Sequence, residues 1–403
     1  MTSQTSHPSR LPRAVYLFGA TSLANDFASE MIYPLLPAFV TGVLGGGAVA
    51  LGVLDGVADA VAAGFKLVSG YLADRPRLRG PLVVGGYAVA AAIRPLIAAA
   101  GAAWHVIGLR AADRVGKGIR TAPRDTMIAE VTAEEVRGRA YGVHRAADHV
   151  GAILGPLAAA ALIAFGIGMR GVFWCAVVPG AAAVAVAWIA VRAAGGGLQV
   201  VGGRKDEPPT THNLPPANDQ FAPLVGVLVL AAALRAPDTL LILRAQDLGV
   251  PVALVPILWA ALHVVRSGSS YPGGTLADRW GPRRTLAVGW AVYAALAAAF
   301  AVARGPLAAW AIFLAFGVFV GLSESPERKL VAQLAPGARR GRSFGWYHGA
   351  LSMVVLPGAA LFGWLYQNRG AATAFEVSAA VTVLAIAALP LSSSGSRRLR
   401  SAG

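Results

Sequence analysis

Apolar stretches of about twenty residues, separated by short polar segments, follow one another along most of the chain. A transmembrane helix needs about 20 predominantly apolar residues. The predicted spans are 14–40, 48–73, 81–100, 103–129, 138–165, 170–192, 221–244, 250–276, 284–303, 306–333, 342–367 and 371–391. The pattern therefore predicts an all-α membrane protein with twelve transmembrane helices.

A polar segment rich in Gly and Pro interrupts this pattern near the middle of the chain. It covers residues 193–220, "AAGGGLQVVGGRKDEPPTTHNLPPANDQ", and is typical of a flexible linker. We expect an N-terminal six-helix half at 1–192 and a C-terminal six-helix half at 221–403.

The composition supports a membrane protein and excludes several other classes. Hydrophobic residues make up 56% of the chain and charged residues 14%, whereas soluble domains carry about 25% charge. The single cysteine excludes an internal disulfide and a cysteine metal cluster, and the polar start of the chain has no signal-peptide core. We expect no bound cofactor or metal.

The net charge of +15 is distributed unevenly between the two sides of the predicted membrane. If the N-terminus is cytoplasmic, the outer segments hold only Arg170, Arg244, Arg304 and Arg369. The predicted cytoplasmic segments hold Arg10, Arg13, Arg75, Arg77, Arg79, Arg137, Arg139, Arg192, Arg204, Lys205, Arg279, Arg283, Arg284, Arg339, Arg340, Arg342, Arg397, Arg398 and Arg400. This bias predicts cytoplasmic N- and C-termini and a multi-pass protein of the bacterial cytoplasmic membrane. It also explains the basic charge without a nucleic-acid partner.

Two sequence blocks recur at an almost constant offset. "SGYLADRPRLRGPL" (69–82) matches "GGTLADRWGPRRTL" (273–286) at an offset of about 204, and "TAPRD" (121–125) aligns with "ESPER" (324–328) at 203. Such repeats indicate two halves related by an axis along the membrane normal, with a substrate site between them near the middle of the bilayer.

Twelve spans, a central linker and this repeated "LADR" segment resemble the major facilitator superfamily. The loop motif is closest to complete at Gly274, Leu276, Asp278, Arg279, Gly281, Arg283 and Arg284, and the first copy keeps Gly70, Leu72, Asp74, Arg75 and Arg79. The resemblance implies two pseudo-symmetric six-helix halves that rock to alternate access. Because one chain contains both halves, we expect it to work as a monomer. It also implies a conformational latch at Asp74, Arg75, Asp278 and Arg279, with Asp125 as a candidate partner of Arg75. "GAILGP" (151–156) resembles a motif of the family's proton-coupled exporters.

Residues 110–125, "RAADRVGKGIRTAPRD", hold seven charges. At 100° per residue, all seven fall on one arc of about 140°, which predicts a helix with a charged face. A charge at the centre of a span costs about 2.5–3.5 kcal/mol, so we expect this face to meet water or partner charges.

Predicted spans 1, 2 and 5 also carry their charges on one face, so we expect a polar cavity in the first half. The candidate cavity residues are Asp26, Glu30, Asp55, Asp59, Lys66, Arg110, Asp113, Arg114, Lys117, Arg120, Arg145 and Asp148. Asp26 and Glu30 are candidate proton carriers or substrate contacts, or members of structural ion pairs. The arginines of span 4 bind an anionic substrate or are neutralised by neighbouring acids. His144 and His263 are candidate proton relays.

Span 10 carries opposite charge to span 4 at repeat-related positions. We predict that Arg120 or Arg124 pairs with Glu324 or Glu327 and closes the cytoplasmic side, with pairing inside one half as the alternative. The candidate gating residues are Asp74, Arg75, Arg124, Asp125, Asp278, Arg279, Glu324, Glu327 and Arg328.

These features predict a secondary transporter rather than an enzyme, because the chain has no nucleophile–base motif and no ATP-binding P-loop. The leading interpretation is proton-coupled antiport that exports a small organic molecule, with the proton as coupling ion. The alternative is uptake or exchange of an organic anion held by the arginine-rich face of span 4. A receptor or scaffold on the same fold has no signalling domain to support it.

Overall fold

The computed structural model describes residues 11–73, 75–132, 137–195, 220–334 and 340–390, and these residues are almost entirely helical. The first half contains α1 (Arg13–Ile32), α2 (Ala48–Ala73), α3 (Pro76–Leu96), α4 (Ala103–Glu130), α5 (Arg137–Ala164) and α6, which has two pieces (Met169–Cys175 and Val177–Gly195). The second half contains α7, also in two pieces (Phe221–Ala232 and Asp238–Asp247), α8 (Val255–Arg279), α9 (Pro282–Val302), α10 (Pro306–Leu334), α11 (Arg340–Arg369) and α12 (Ala371–Ala388). Short helical turns extend α1 to Val43 and α3 to Ala99. Each predicted span coincides with one of these twelve segments.

Nine of the described helices are long and apolar enough to cross a membrane. The remaining segments, α1, α4 and α7, do not meet this criterion of length and apolar composition. α1 and α4 carry polar and charged residues on one face, and α7 is interrupted between Ala232 and Asp238. Pro237 lies in this break, and Pro34 lies in the turn that ends α1, 203 residues earlier. The predicted linker 193–220 falls mostly on residues outside the described ranges.

The repeat detected in the sequence is also present in the helix packing. A Cβ atom at Gly86 of α3 would lie 2.6 Å from the carbonyl oxygen of Gly116 on α4, and one at Gly289 of α9 would lie 3.0 Å from that of Leu322 on α10. Gly86 and Gly289 are 203 positions apart. Equivalent glycines therefore allow equivalent helix pairs to approach closely in the two halves.

The described chain ends lie at one end of the helix bundle, which we call the termini face. We call the other end the opposite face, and there the two halves meet closely. At the opposite face α2 packs on α11, where a Cβ atom at Gly363 would lie 2.5 Å from the carbonyl oxygen of Ala48, the first residue of α2. Towards the termini face, Gly64 of α2 and Gly349 of α11 have no described neighbour within 4 Å of such a Cβ. The interface is therefore closed at the opposite face and parts towards the termini face.

Candidate functional site

A cavity of about 400 Å³ lies between the two halves. Its wall includes five cationic side chains and four carboxylates from α1, α2, α4, α7 and α8. These are Arg110, Arg114, Lys117, Arg235 and Arg266, and Glu30, Asp55, Asp59 and Asp238. Asp59 lies eleven residues into α2, about 16 Å along the helix axis, which is close to the middle of a bilayer core about 30 Å thick.

Two side spaces extend from this cavity, and Asp59 lines all three. The basic branch, about 310 Å³, is lined by Lys66, Arg114 and Lys117 and by apolar residues of α2 and α11. The acidic branch, about 360 Å³, lies within the second half. Its wall contains Arg235, Asp238, Leu241, Arg266, Tyr293, Phe316, Phe319, Val320, Ser323, Glu324 and Glu327.

The charged helix predicted at 110–125 is present as part of α4, and a buried acid organises its arginines. Asp113 accepts a hydrogen bond from Nε of Arg94 at 2.8 Å and lies 3.4 Å from Nη1 of Arg110 and 3.9 Å from Nε of Arg114. Its side chain is 1% exposed. Asp113 thus lies behind the cavity, where it offsets the charges of three arginines.

Asn25 connects a second group of charges in the first half. Its Oδ1 accepts hydrogen bonds from Arg94 at 3.1 Å and from Arg120 at 3.2 Å, while its Nδ2 donates to Asp26 at 2.8 Å. The Arg120 guanidinium also lies 4.5 Å from the ring centre of Tyr87. Asp26 and Arg120 therefore belong to a buried network and do not line any of the three spaces.

The "GAILGP" motif brings α5 against the acidic segment of α1. A Cβ atom at Gly151 would lie 3.2 Å from the Cβ of Asp26, and one at Gly155 would lie 3.2 Å from the Cβ of Glu30. At this spacing only glycine leaves the two helices in place. The motif thus sets the position of both carboxylates.

Two hydrogen-bonded contacts cross from one half to the other beside the cavity. Nε1 of Trp259 donates to Glu30 at 2.8 Å. The hydroxyl and backbone N–H of Thr239 donate to Oδ2 of Asp55 at 2.7 and 3.1 Å, and the Tyr33 hydroxyl donates to the same carboxylate at 3.1 Å. The carboxylates of Glu30 and Asp55 thereby join α1 and α2 to α8 and α7.

The charged residues of the second half were not among the predicted cavity residues. Arg235 lies in the break of α7, Asp238 is the first residue after it, and Nη2 of Arg266 on α8 donates to Asp238 at 3.0 Å. The sequence feature that could have predicted these cavity residues is a pair of charged residues beside a proline in an apolar span. Interrupted helices of transport proteins line their binding sites. The lone arginine in span 8 was a second signal.

The cavity arginines retain unused donors. Among the described residues, the Nε atoms of Arg110, Arg114, Arg235 and Arg266 are buried without a hydrogen-bond partner. The same holds for Nε2 of His263, whose ring lies 5.1 Å from that of Trp259. Buried donors without partners are costly, so these groups are suited to a ligand that supplies acceptors.

The predicted gating residues are arranged differently from the prediction. Arg124 pairs with the adjacent Asp125 at 2.8 Å, and Arg120 binds Asn25, so neither contacts Glu324 or Glu327. The predicted pair across the halves is therefore absent in this conformation, because the halves are parted at the termini face. Glu327 instead accepts a hydrogen bond from Tyr347.

The remaining gating candidates lie at or beyond the edge of the described region. Arg75 and Arg279 are exposed at the termini face, and Asp125 contacts Arg124 rather than Arg75. Asp74 and the side chains of Asp278 and Arg328 lie outside the described residues.

The polar residues of α5 lie away from the cavity. Asp148 accepts a hydrogen bond from Ser22 and lies 3.9 Å from Nδ1 of His144. Arg145 is exposed. The described ranges contain no group of three or more His, Cys, Asp or Glu side chains with the spacing to hold a metal ion.

Comparison with known sequences places this fold in a family. The chain matches the profile of the Major Facilitator Superfamily over residues 18–327 and 224–403. It is 32% identical to a protein of Mycobacterium tuberculosis strain H37Rv over 371 residues, which is 88% of this chain and 87% of that protein. It is 27% identical to an MFS-type transporter of Methanocaldococcus jannaschii over 377 residues, 89% of each chain. A shorter match, 31% identity over 122 residues and 30% of each chain, is to the multidrug resistance protein MdtH of Klebsiella pneumoniae.

Solved structures share the same architecture. A bacterial homologue of the human lysosomal transporter Spinster, in an inward-facing and occupied conformation, superposes with a TM-score of 0.72 at 16% identity, covering 96% of this chain and 97% of that one. The nucleoside transporter NupG superposes with a TM-score of 0.72 at 12% identity, covering 94% of this chain and 99% of that one. The chain belongs to the major facilitator superfamily and is a multi-pass membrane transporter, not an enzyme.

Proposed function

We propose that this transporter moves a small organic anion. The observation that carries the proposal is the convergence of Arg110, Arg114, Lys117, Arg235 and Arg266 on one cavity from both halves. Four of these side chains keep a buried Nε without a partner among the described residues. The forked guanidinium group matches carboxylate and phosphate geometry.

The carboxylates of the cavity support this choice because three of them already have partners. Glu30 receives the Trp259 N–H, Asp55 receives Thr239 and Tyr33, and Asp238 binds Arg266. Their acceptors are therefore largely used within the protein. Four cavity arginines, by contrast, each keep an Nε donor that has no hydrogen-bond partner among the described residues.

The test is flux of labelled small molecules in proteoliposomes, with a panel of carboxylates, phosphate esters and lipophilic cations. We expect accumulation or exchange of at least one anion. Arg235→Gln removes a charge-assisted contact of about 1.5–3 kcal/mol, so the apparent affinity for that anion falls about 10- to 100-fold. Arg304→Gln, in an exposed loop, is the matched control and leaves flux unchanged. Flux of cations alone contradicts the proposal.

Proton-coupled antiport with export is a second candidate function. Glu30 lines the cavity and accepts a hydrogen bond from Trp259 of the other half. Protonation of Glu30 therefore changes the strength of a hydrogen bond between the halves. Gly151 and Gly155 hold Asp26 and Glu30 in place. The partial similarity to a multidrug resistance protein also favours export.

This second candidate is tested with a pH-sensitive dye inside proteoliposomes. Cargo addition is expected to drive a proton flux that Glu30→Gln or Asp26→Asn abolishes. Glu376→Gln, an exposed acid of α12, is the control. Cargo flux without proton movement contradicts proton coupling and leaves the anion proposal standing.

We further infer that the protein works as a monomer in the bacterial cytoplasmic membrane with both termini cytoplasmic. The positive-inside bias supports this orientation, and one chain contains both halves. In that orientation the parted termini face opens to the cytoplasm. Labelling of single cysteines with a membrane-impermeant reagent tests it, because a cysteine at Arg304 is then labelled from outside the cell and one at Arg75 is not.

A further inference from the structure

The two branches of the cavity differ in the sign of their charge. The basic branch has three cations, Lys66, Arg114 and Lys117, and one acid, Asp59. The acidic branch has four acids, including Asp59 and Glu327, and two arginines. The basic branch lies between the first half and α11, and the acidic branch is lined by the second half and by Asp59.

Arg266 and Asp238 of the acidic branch form an ion pair at 3.0 Å, but other charges of the two branches are not paired in this way. Within the described residues, no ion pair of 4.0 Å or less joins Asp59 or Glu327 to a lysine or arginine, and none involves Lys66 or Lys117. Charges of both signs, Asp59 and Glu327 on one side and Lys66 and Lys117 on the other, therefore line connected spaces without an ion-pair partner among the described residues. A ligand of one sign satisfies only half of them.

The acidic branch has the features of an ammonium site. Ser323 is 2% exposed, and its Oγ has no hydrogen-bond partner among the described residues. Glu327 follows four residues later on the same face of α10 and is 8% exposed. Phe316 and Phe319 form the adjacent wall, and aromatic faces attract cations. An ammonium group has three N–H donors, which a serine hydroxyl and a carboxylate accept.

The two charged regions lie at similar depth on opposite sides of the cavity. Ser323 is seventeen residues from the start of α10, and Lys117 is fourteen residues from the start of α4. At 1.5 Å per residue, they are about 26 Å and about 21 Å from the opposite face, a difference of about one helical turn. Asp59 lines the main cavity and both branches, so the two regions open into one another beside this residue.

We propose that the cargo is a small zwitterion whose ammonium group binds at Ser323 and Glu327 and whose carboxylate or phosphate binds at Arg114 and Lys117. This inference rests on the proposed anion function and adds the second charge. The volume of about 400 Å³ suits a molecule of drug-like size or smaller. The zwitterion contacts both halves, so its binding stabilises the arrangement of the halves in which both sets of contacts form.

The experiment measures binding to the full chain in lipid nanodiscs with matched triplets of probes. Each triplet contains a zwitterion, the acid without its amine and the amine without its acid. The triplets are phenylalanine, phenylpropionate and phenethylamine; aminohexanoate, hexanoate and hexylamine; and aminomethylbenzoate, methylbenzoate and methylbenzylamine. In at least one triplet the zwitterion is expected to bind about 10- to 100-fold more tightly than either partner.

The other outcomes separate this inference from the function on which it rests. If every acid binds as tightly as its zwitterion, the inference is wrong and the anion proposal stands. If the amines bind more tightly than the acids, both are wrong. If no probe binds, the zwitterion inference is overturned, and the flux panel decides the anion proposal independently.

Variants of the acidic branch test the assignment of the ammonium site. Glu327→Gln keeps an acceptor for Tyr347 and is expected to reduce zwitterion affinity to that of the acid, with acid affinity unchanged. Glu376→Gln, outside the cavity, leaves both affinities unchanged. If Glu327→Gln does not fold, Ser323→Ala replaces it, because its Oγ has no described partner and its loss weakens only the zwitterion. An unchanged zwitterion advantage in the folded variant refutes the assignment.

Discussion

Replacing Asp113 by Asn removes the buried charge that offsets three arginines. Asp113 is 1% exposed, and its neighbours Arg94 and Arg110 are each 3% exposed. Breaking a buried ion pair by removing one partner costs about 3–5 kcal/mol, because the remaining charge stays buried without compensation. Asn retains an acceptor for Nε of Arg94 at a position where the acid bonds at 2.8 Å. The substitution therefore tests the charge rather than the shape.

The comparison variant is Asp125→Asn, at the termini-facing end of the same helix. Asp125 is 43% exposed and pairs with Arg124 at 2.8 Å. A partly exposed pair of this kind contributes about 0.2–1 kcal/mol. The two variants change the same functional group on one helix and differ in burial.

The assay is reversible unfolding in mixed micelles, followed by far-UV circular dichroism and tryptophan fluorescence. We expect Asp113→Asn to lower the free energy of unfolding by about 3–5 kcal/mol and Asp125→Asn by less than about 1 kcal/mol. Equal losses for the two variants refute the reasoning. A stabilised Asp113→Asn variant also refutes it.

Two further predictions concern the packing and the contact between the halves. Gly155→Ala places a methyl group 3.1 Å from a backbone nitrogen of α1, so we expect loss of transport and a lower unfolding midpoint, while Gly85→Ala, which has open space, leaves both unchanged. Thr239→Val removes the 2.7 Å hydrogen bond to Asp55, which joins the two halves, but keeps the backbone donor. We therefore expect a cysteine introduced at the opposite face to become about tenfold more accessible to a thiol reagent. Thr373→Val, whose hydroxyl bonds only its own helix backbone among the described residues, is its control, and equal accessibility in the two threonine variants contradicts the prediction.

Hydropathy predicted the helical segments, and helical periodicity predicted the charged face of α4. Apolar length predicts each span because a helix in lipid must satisfy its own backbone and present apolar side chains. The charged arc at 110–125 predicts one face of α4, and the structure has that face on the cavity and on α3. Of that arc, Arg110, Arg114 and Lys117 line the cavity.

Partners within the buried network could not be predicted in the same way. Helical periodicity gives the direction of a side chain around its own axis, but not the neighbouring helix or the relative depth. Asp113 and Asp26 have the same charge, yet Asp113 forms ion pairs with arginines and Asp26 accepts a hydrogen bond from Asn25. That difference depends on how α3 crosses α1 and α4, which involves the close approach at Gly86.

The second half of the cavity was missed because its charges are isolated. Arg235, Asp238 and Arg266 do not form a dense charged arc along one helix. Arg235 and Asp238 lie three residues apart in span 7, and Arg266 is the lone charge of span 8; the break in α7 and the packing of α8 bring them to the cavity. Pro237, between Arg235 and Asp238, is the sequence feature that indicates the break in α7.

The central claim, that cavity arginines from both halves select an anionic group, is tested most directly by charge selectivity. The measurement is the ratio of anion to cation flux in proteoliposomes for the wild type and for the double variant Arg114→Gln/Arg235→Gln. The account predicts a wild-type preference for anions that falls by at least about tenfold in the double variant. An unchanged ratio, with the variant folded and reconstituted, contradicts the account.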